Sequence, residues 1–207
     1  LSFNEIYTEI KKGFHVFLAG IFGNIYGQGT IIILGLLTNN LIVGYYSVSE
    51  KIFKIFASIG SVISQTIFPY VSKSINKCIE KKYFNKILLL SIMSAFVLSV
   101  GIFVFSKKIY TIVANEIYWD GIWVLRFLIM LLPMEYANNI INSFLLAMRC
   151  DKIVSKMYVI VGIIFVFVCV FCILTFGIYG PVLGLLFVEL CLLIWGLKNY
   201  IKFSKQI

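Results

Sequence analysis

The sequence predicts an all-α, polytopic membrane protein with six transmembrane helices. Three observations carry this expectation. Of 207 residues, 61% are apolar or aromatic and only 13% are charged, against roughly 25% charged in soluble domains. Mean hydropathy is +0.99, more apolar surface than a water-soluble globule of this size can hide. Six stretches approach the ~20 apolar residues that a membrane helix needs.

The first stretch, about 14–37, carries Asn24 and Gln28 one turn apart, with Gly20, Gly23 and Gly27 as a small-residue face. Gly23 and Gly27 form a G-x-x-x-G, for which close helix packing is the expected meaning. Asn24 and Gln28 either line a polar cavity or tie two helices together. His15, the single histidine, sits at the start of the span and reads as an interface residue.

Thr38-Asn39-Asn40 ends the first helix, and the second stretch runs over about 47–70. At 100° per residue, Ser47, Lys51, Lys54, Ser58, Ser61 and Gln65 fall within an arc of about 80°. A polar stripe along most of a span predicts the wall of a water-filled cavity. A charge at mid-helix costs ~2.5–3.5 kcal/mol on the insertion scale, so Lys51 and Lys54 need a reason. Either they snorkel to the interface with Glu50 neutralising one of them, or they draw an anionic ligand into the cavity. Two lysines one turn apart suit a phosphate or diphosphate.

The third stretch, about 86–106, is apolar. The loop after it, about 107–121, holds Glu116, Tyr118, Trp119 and Asp120, with Trp123 as an interface anchor. The fourth, about 122–148, places Glu135, Asn138, Asn139 and Asn142 on one helical face, and Pro133 predicts a kink that frees backbone carbonyls. Glu135, Asn138 and Asn142 either hold a coupling cation or proton, or hydrogen-bond a neighbouring helix. Arg126 points the other way and reads as a snorkelling residue.

The fifth stretch, about 153–176, is almost wholly apolar and reads as lipid-facing. Gly177-Ile178-Tyr179-Gly180-Pro181 separates it from the sixth, about 181–201, whose one acidic residue is Glu189.

Charge placement sets the expected orientation. With residues 1–13 in the cytoplasm, that side receives Lys11, Lys12, Lys73, Lys77, Lys81, Lys82, Lys86, Arg149, Lys152, Lys156, Lys198, Lys202 and Lys205. The other side receives only Lys107 and Lys108, an asymmetry that puts residues 1–13 and the C-terminus in the cytoplasm. The net charge of +9 therefore reads as topology, with no nucleic-acid partner implied.

Soluble chemistry finds no foothold. No phosphate-binding Gly-rich loop, zinc spacing or G-x-S-x-G occurs, so no catalytic residue, metal or cofactor is expected. Of the five cysteines, Cys169 and Cys172 lie within an apolar run and read as small hydrophobes.

Gly44-Tyr45-Tyr46-Ser47, Glu50-Lys51-Ile52 and Phe68-Pro69-Tyr70-Val71-Ser72 together resemble the second-half signature of the Wzx-type O-antigen and capsule repeat-unit flippases. These belong to the multidrug/oligosaccharidyl-lipid/polysaccharide exporter superfamily. The Tyr118 loop, Tyr179-Gly180-Pro181 through Gly184, and Glu189 are similar too. The resemblance implies that residues 1–207 are the C-terminal lobe of a two-lobe fold, with an N-terminal lobe as partner, in keeping with the absence of an initiator Met. It implies translocation of undecaprenyl-diphosphate-linked oligosaccharides from the cytoplasmic to the outer leaflet of a bacterial inner membrane, alongside polysaccharide polymerase and chain-length machinery. Lys51 and Lys54 are the positions that would meet the lipid diphosphate. The alternatives are a lipid II flippase, a cation-coupled multidrug exporter, and a membrane polysaccharide polymerase or ligase. The exporter favours an acidic cavity, and a polymerase or ligase large outer loops bearing His and Arg.

Overall fold

The computed structural model describes residues 3–74, 81–114 and 120–203. These residues are helical apart from short turns, with no strand among them. The chain runs through α1 (Phe3–Leu37), α2 (Asn40–Ser74), α3 (Lys81–Val113), α4 (Gly121–Ile129), α5 (Leu132–Ala147), α6 (Asp151–Phe176) and α7 (Gly180–Phe203). The Tyr118 loop, Lys77, Cys78 and Lys205 lie outside the described residues, as do the side chains of His15, Lys11, Lys12, Lys73, Lys81 and Lys82.

Local chemistry marks each boundary. Thr38 closes α1 by donating its hydroxyl to the Leu34 carbonyl, 2.9 Å being the matching backbone bond and 2.7 Å the side-chain one. Asn39 caps α2, its Oδ1 accepting the Ile42 N–H at 2.9 Å, which satisfies a donor that the helix itself leaves unpaired. The kink expected at Pro133 is a break: α4 and α5 meet at 42°, since proline at the start of α5 offers no N–H to continue the helix. Between α6 and α7 the chain reverses through Gly177, whose φ of 58° favours glycine, and a single 3-10 turn, Gly177–Tyr179.

Helices consecutive in the chain alternate in direction, with α4 and α5 counted as one rod. Gly180 lies against the backbone of Cys172 and Ile173, and Gly184 against Phe165 and Cys169, so α6 and α7 form an antiparallel hairpin. Ser106 meets Arg126, Ser99 meets Ile129 and Phe84 meets Phe144, which makes α3 antiparallel to the bent α4–α5 rod. Phe56 and Ser64 meet Tyr136 and Asn139, so α2 runs parallel to α5.

The bent rod is the core. Val124, Leu125, Leu128, Ile129, Leu131, Leu132 and Tyr136 are all buried, enclosed by α2, α3 and α7. Outward-facing surfaces are strongly apolar: Leu89, Met93, Phe96, Val100 and Val104 on α3, and Ile163, Phe167, Phe171 and Leu174 on α6, are exposed. An apolar surface of that extent marks contact with lipid. Three segments, Asn40–Ser72, Phe84–Val113 and Asp151–Lys202, are long and apolar enough to cross a membrane, and the bent pair makes a fourth. The chain is thus an all-helical protein with the character of a multi-pass membrane protein.

Two sequence expectations need correction. The fifth stretch is not simply lipid-facing: one face of α6 (Val154, Met157, Val161, Phe165, Cys169, Ile173) is buried between α1 and α7. Of the expected small-residue face on α1, only Gly23 meets a neighbouring helix, its Cβ position 3.8 Å from the Tyr158 ring of α6. A Cβ at Gly20 or Gly27 would meet nothing within 4 Å. Close approach occurs instead at Gly60 against Tyr136, Gly162 against Phe22 and Gly196 against Ile141, where isolated glycines fit between bulky partners. Cys150, Cys169, Cys172 and Cys191 are free thiols.

Candidate functional site: two adjoining polar cavities

Gly20 and Gly27 leave open space beside α1. Gly23, Tyr26 and Gly27 line a cavity of about 110 Å³ together with Glu50, Phe53 and Lys54 of α2, Glu135 of α5, and Leu185 and Glu189 of α7. A second cavity, of about 590 Å³, is lined by Gly20, Gly23, Asn24 and Tyr26 of α1, Gln65 of α2, Asn139, Asn142 and Leu146 of α5, and Asp151, Val154 and Tyr158 of α6. Gly23 and Tyr26 wall both, so the two adjoin.

The first cavity is charged. Lys54 Nζ stands 2.9 Å from Glu50 Oε1 and donates to the Gly27 carbonyl at 2.9 Å, tying α2 to α1. Glu50 is almost wholly buried, so the pair compensates a carboxylate that would otherwise be costly in an apolar interior. Glu189 is also buried and accepts from Asn138 Nδ2 at 2.6 Å; the same nitrogen bonds the Glu189 carbonyl at 3.0 Å. Three carboxylates thus share the cavity with one ammonium. Among the described residues, no three His, Cys, Asp or Glu side chains group in a way that could hold a metal ion.

The α2 stripe divides on folding. Lys54 and Gln65 line cavities, whereas Lys51 is exposed and Ser47, Lys51, Ser58 and Ser61 line neither. The three serines bond carbonyls of their own helix, Ser47 to Gly44, Ser58 to Ile55 and Ser61 to Ser58. Asn24 lines the second cavity, while Gln28, on the same helix, is exposed and lines neither. Of the α5 set, Glu135 faces the first cavity, Asn139 and Asn142 the second, and Asn138 turns to Glu189. Arg126 donates from Nε to Ser106 Oγ at 2.9 Å and lies over the Phe103 and Trp123 rings.

Sequence reasoning underrated three groups. Glu50 was legible only as a possible neutraliser of a lysine, and it pairs with Lys54. Glu189 stood out as an acid in an apolar span, but its partner, Asn138, lies 51 positions away. Asp151, in the first turn of α6, drew no reading from the sequence and lines the second cavity.

Comparison of this chain with protein families, with curated proteins and with solved structures gives no match.

Proposed function

We propose that the chain crosses a bacterial inner membrane six times and forms one lobe of an alternating-access flippase. Its cargo would be undecaprenyl-diphosphate-linked oligosaccharide, passed from the cytoplasmic to the outer leaflet with an N-terminal lobe closing the other side of the pathway. The observation that carries this reading is the pair of adjoining polar cavities inside a helix assembly whose outer surface is apolar. Such an interior gives a glycan a wet route while the prenyl tail stays in lipid, and it requires no covalent chemistry. Six crossings are supported by the alternating helix directions and by the reversal at Gly177, which folds the 52-residue segment Asp151–Lys202 back on itself.

Within this reading the two lysines part company. Lys54 is committed to Glu50 and Gly27, whereas Lys51, exposed on the face of α2 beside them, keeps its charge available for a diphosphate. The polymerase and chain-length machinery of the same pathway would take up the product.

A second reading, a cation-coupled exporter, is favoured by the first cavity. With Glu50, Glu135 and Glu189 against Lys54 it suits a proton or a cationic cargo better than an anion.

The test is expression of the full reading frame in a bacterial host that makes the lipid-linked glycan but lacks a flippase. Surface glycan and the cytoplasmic-leaflet intermediate are followed for wild type and for Lys51→Ala. Restored surface glycan that Lys51→Ala loses, at matched membrane abundance, supports the flippase with Lys51 at the diphosphate. No restoration with any of several glycans, but uptake of a cationic dye by inverted vesicles that Glu135→Gln abolishes, establishes the exporter instead.

A further inference from the structure

We propose that the second cavity is a carbohydrate subsite that takes a neutral, polyhydroxylated sugar and rejects an acidic one. The inference deepens the flippase reading and rests on it for the sugar being part of the cargo; the chemistry of the site stands on the cavity wall.

Four amides from three helices converge there: Asn24 of α1, Gln65 of α2, and Asn139 and Asn142 of α5. Among the described residues none of these side chains is in a hydrogen bond with the protein, and neither are the Asp151 carboxylate and the Tyr158 hydroxyl. The Asn142 Oδ1 is buried and still has no partner. Side chains within a membrane helix bundle normally satisfy one another. Elsewhere in this chain they do so: Asn138 with Glu189, Ser64 with Ser143, Arg126 with Ser106. Outside this cavity the Tyr46 hydroxyl is the other buried polar atom without a partner among the described residues, but only here do several unbonded amides line one space.

Their type selects the ligand. An amide presents a donor and an acceptor side by side, which matches adjacent sugar hydroxyls, each of which also donates and accepts. A phosphate dianion or the carboxylate of a uronate only accepts, and it would meet Asp151 with no cation among the cavity's lining residues. An apolar occupant would leave the amides unmet. One wall is aromatic: the rings of Tyr26 and Tyr158 lie 6.4 Å apart at 20°, a platform for the C–H face of a pyranose ring. On α1 the wall is Gly20 and Gly23, so a ligand can approach the helix backbone. At about 590 Å³ the space falls in the range of small-molecule sites.

Gly20 supplies a blocking variant that should fold. A Cβ there meets nothing within 4 Å, so Gly20→Leu starts its side chain in open space at the cavity wall. The probes are maltotriose and N,N′,N″-triacetylchitotriose as neutral sugars and trigalacturonate as the acidic one, titrated at millimolar concentration into the full chain in lipid nanodiscs. Saturation-transfer NMR and calorimetry read binding; thermal unfolding checks each variant. The expected result is saturable binding of a neutral trisaccharide and at least about tenfold weaker binding of trigalacturonate. Gly20→Leu and the pair Asn139→Leu/Asn142→Leu should each weaken neutral binding by about tenfold or more.

Equal binding of acidic and neutral sugars, no saturable neutral binding, or binding that survives both variants overturns the subsite. Surface-glycan restoration, followed in the same variants, separates this from the parent reading. If restoration persists in both variants and sugars do not bind, the subsite is wrong and the flippase stands. If variant-sensitive sugar binding occurs with no glycan exported in any host, the subsite stands and the flippase falls.

Discussion

Lys54 is the residue whose structural and transport roles can be pulled apart. It lies 2.9 Å from the Glu50 carboxylate and 2.9 Å from the Gly27 carbonyl, and removing it leaves Glu50, 3% exposed, as an uncompensated buried charge. Breaking a fully buried pair costs ~3–5 kcal/mol, and an exposed pair contributes only ~0–1 kcal/mol. The Lys54 side chain is 39% exposed, so the loss falls between these limits, at about 2 kcal/mol for Lys54→Met. Methionine keeps most of the stem that packs along the helix. Glu50→Gln removes the charge that needs compensation, so Glu50→Gln/Lys54→Met should recover to within about 1 kcal/mol of wild type, a coupling of about 1–2 kcal/mol in the double-mutant cycle. Reversible unfolding in mixed micelles measures the four stabilities, and glycan export is measured on the same four proteins. If Lys54 only holds α1 to α2, the double variant regains export with stability. If Lys54 also touches cargo, stability returns and export does not. A Lys54→Met protein as stable as wild type, or a double variant no better than Lys54→Met, would refute the reasoning.

Three further outcomes follow from the geometry. Gly60→Ala would set a Cβ 2.5 Å from a ring carbon of Tyr136, whose hydroxyl is held by the Phe56 carbonyl at 2.8 Å; a loss of ~1–3 kcal/mol from overpacking is expected. Gly27→Ala, with open space at its Cβ, serves as the control, and equal stability of the two proteins in thermal unfolding would contradict the packing. Asn138→Leu removes the donor to a buried carboxylate and should cost ~1–3 kcal/mol, a loss that adding Glu189→Leu reduces; if the double change is worse than the single, the bond at Glu189 is not what Asn138 contributes. Lys51→Ala, exposed and clear of both cavities, should leave the unfolding midpoint unchanged while lowering export of lipid-linked glycan severalfold, and an unfolding midpoint that drops with export would assign Lys51 to structure instead.

Helix class and most boundaries were legible because they depend on neighbours in sequence. Thr38 and Asn39 close one helix and start the next with their own side chains, and Pro133 breaks the fourth rod by lacking an N–H. The polar stripe on α2 was legible too, since period and side-chain type are enough to find it. What each member of the stripe does was not. Ser47, Ser58 and Ser61 satisfy themselves on carbonyls three residues back, a bond equally open to serine in any helix. Lys51 and Lys54 are one turn apart with the same chemistry, and only the position of α1 gives Lys54 a second partner and leaves Lys51 without one.

The glycines show the same division most plainly. Composition alone decided that this chain packs helices in an apolar medium, because so little charge cannot solvate so much hydrocarbon. Spacing suggested that Gly23 and Gly27 would be a packing face, yet a glycine on a helix surface means close approach or open space depending on what stands opposite. Tertiary structure set Tyr136 opposite Gly60 and nothing opposite Gly20 and Gly27, so the same residue type closes one interface and opens two cavities. Glu50, Glu135 and Glu189 come from three helices, up to 139 positions apart in the chain. Their common cavity exists only because α2, α5 and α7 pack side by side, and that long-range arrangement leaves no periodicity in the sequence to read.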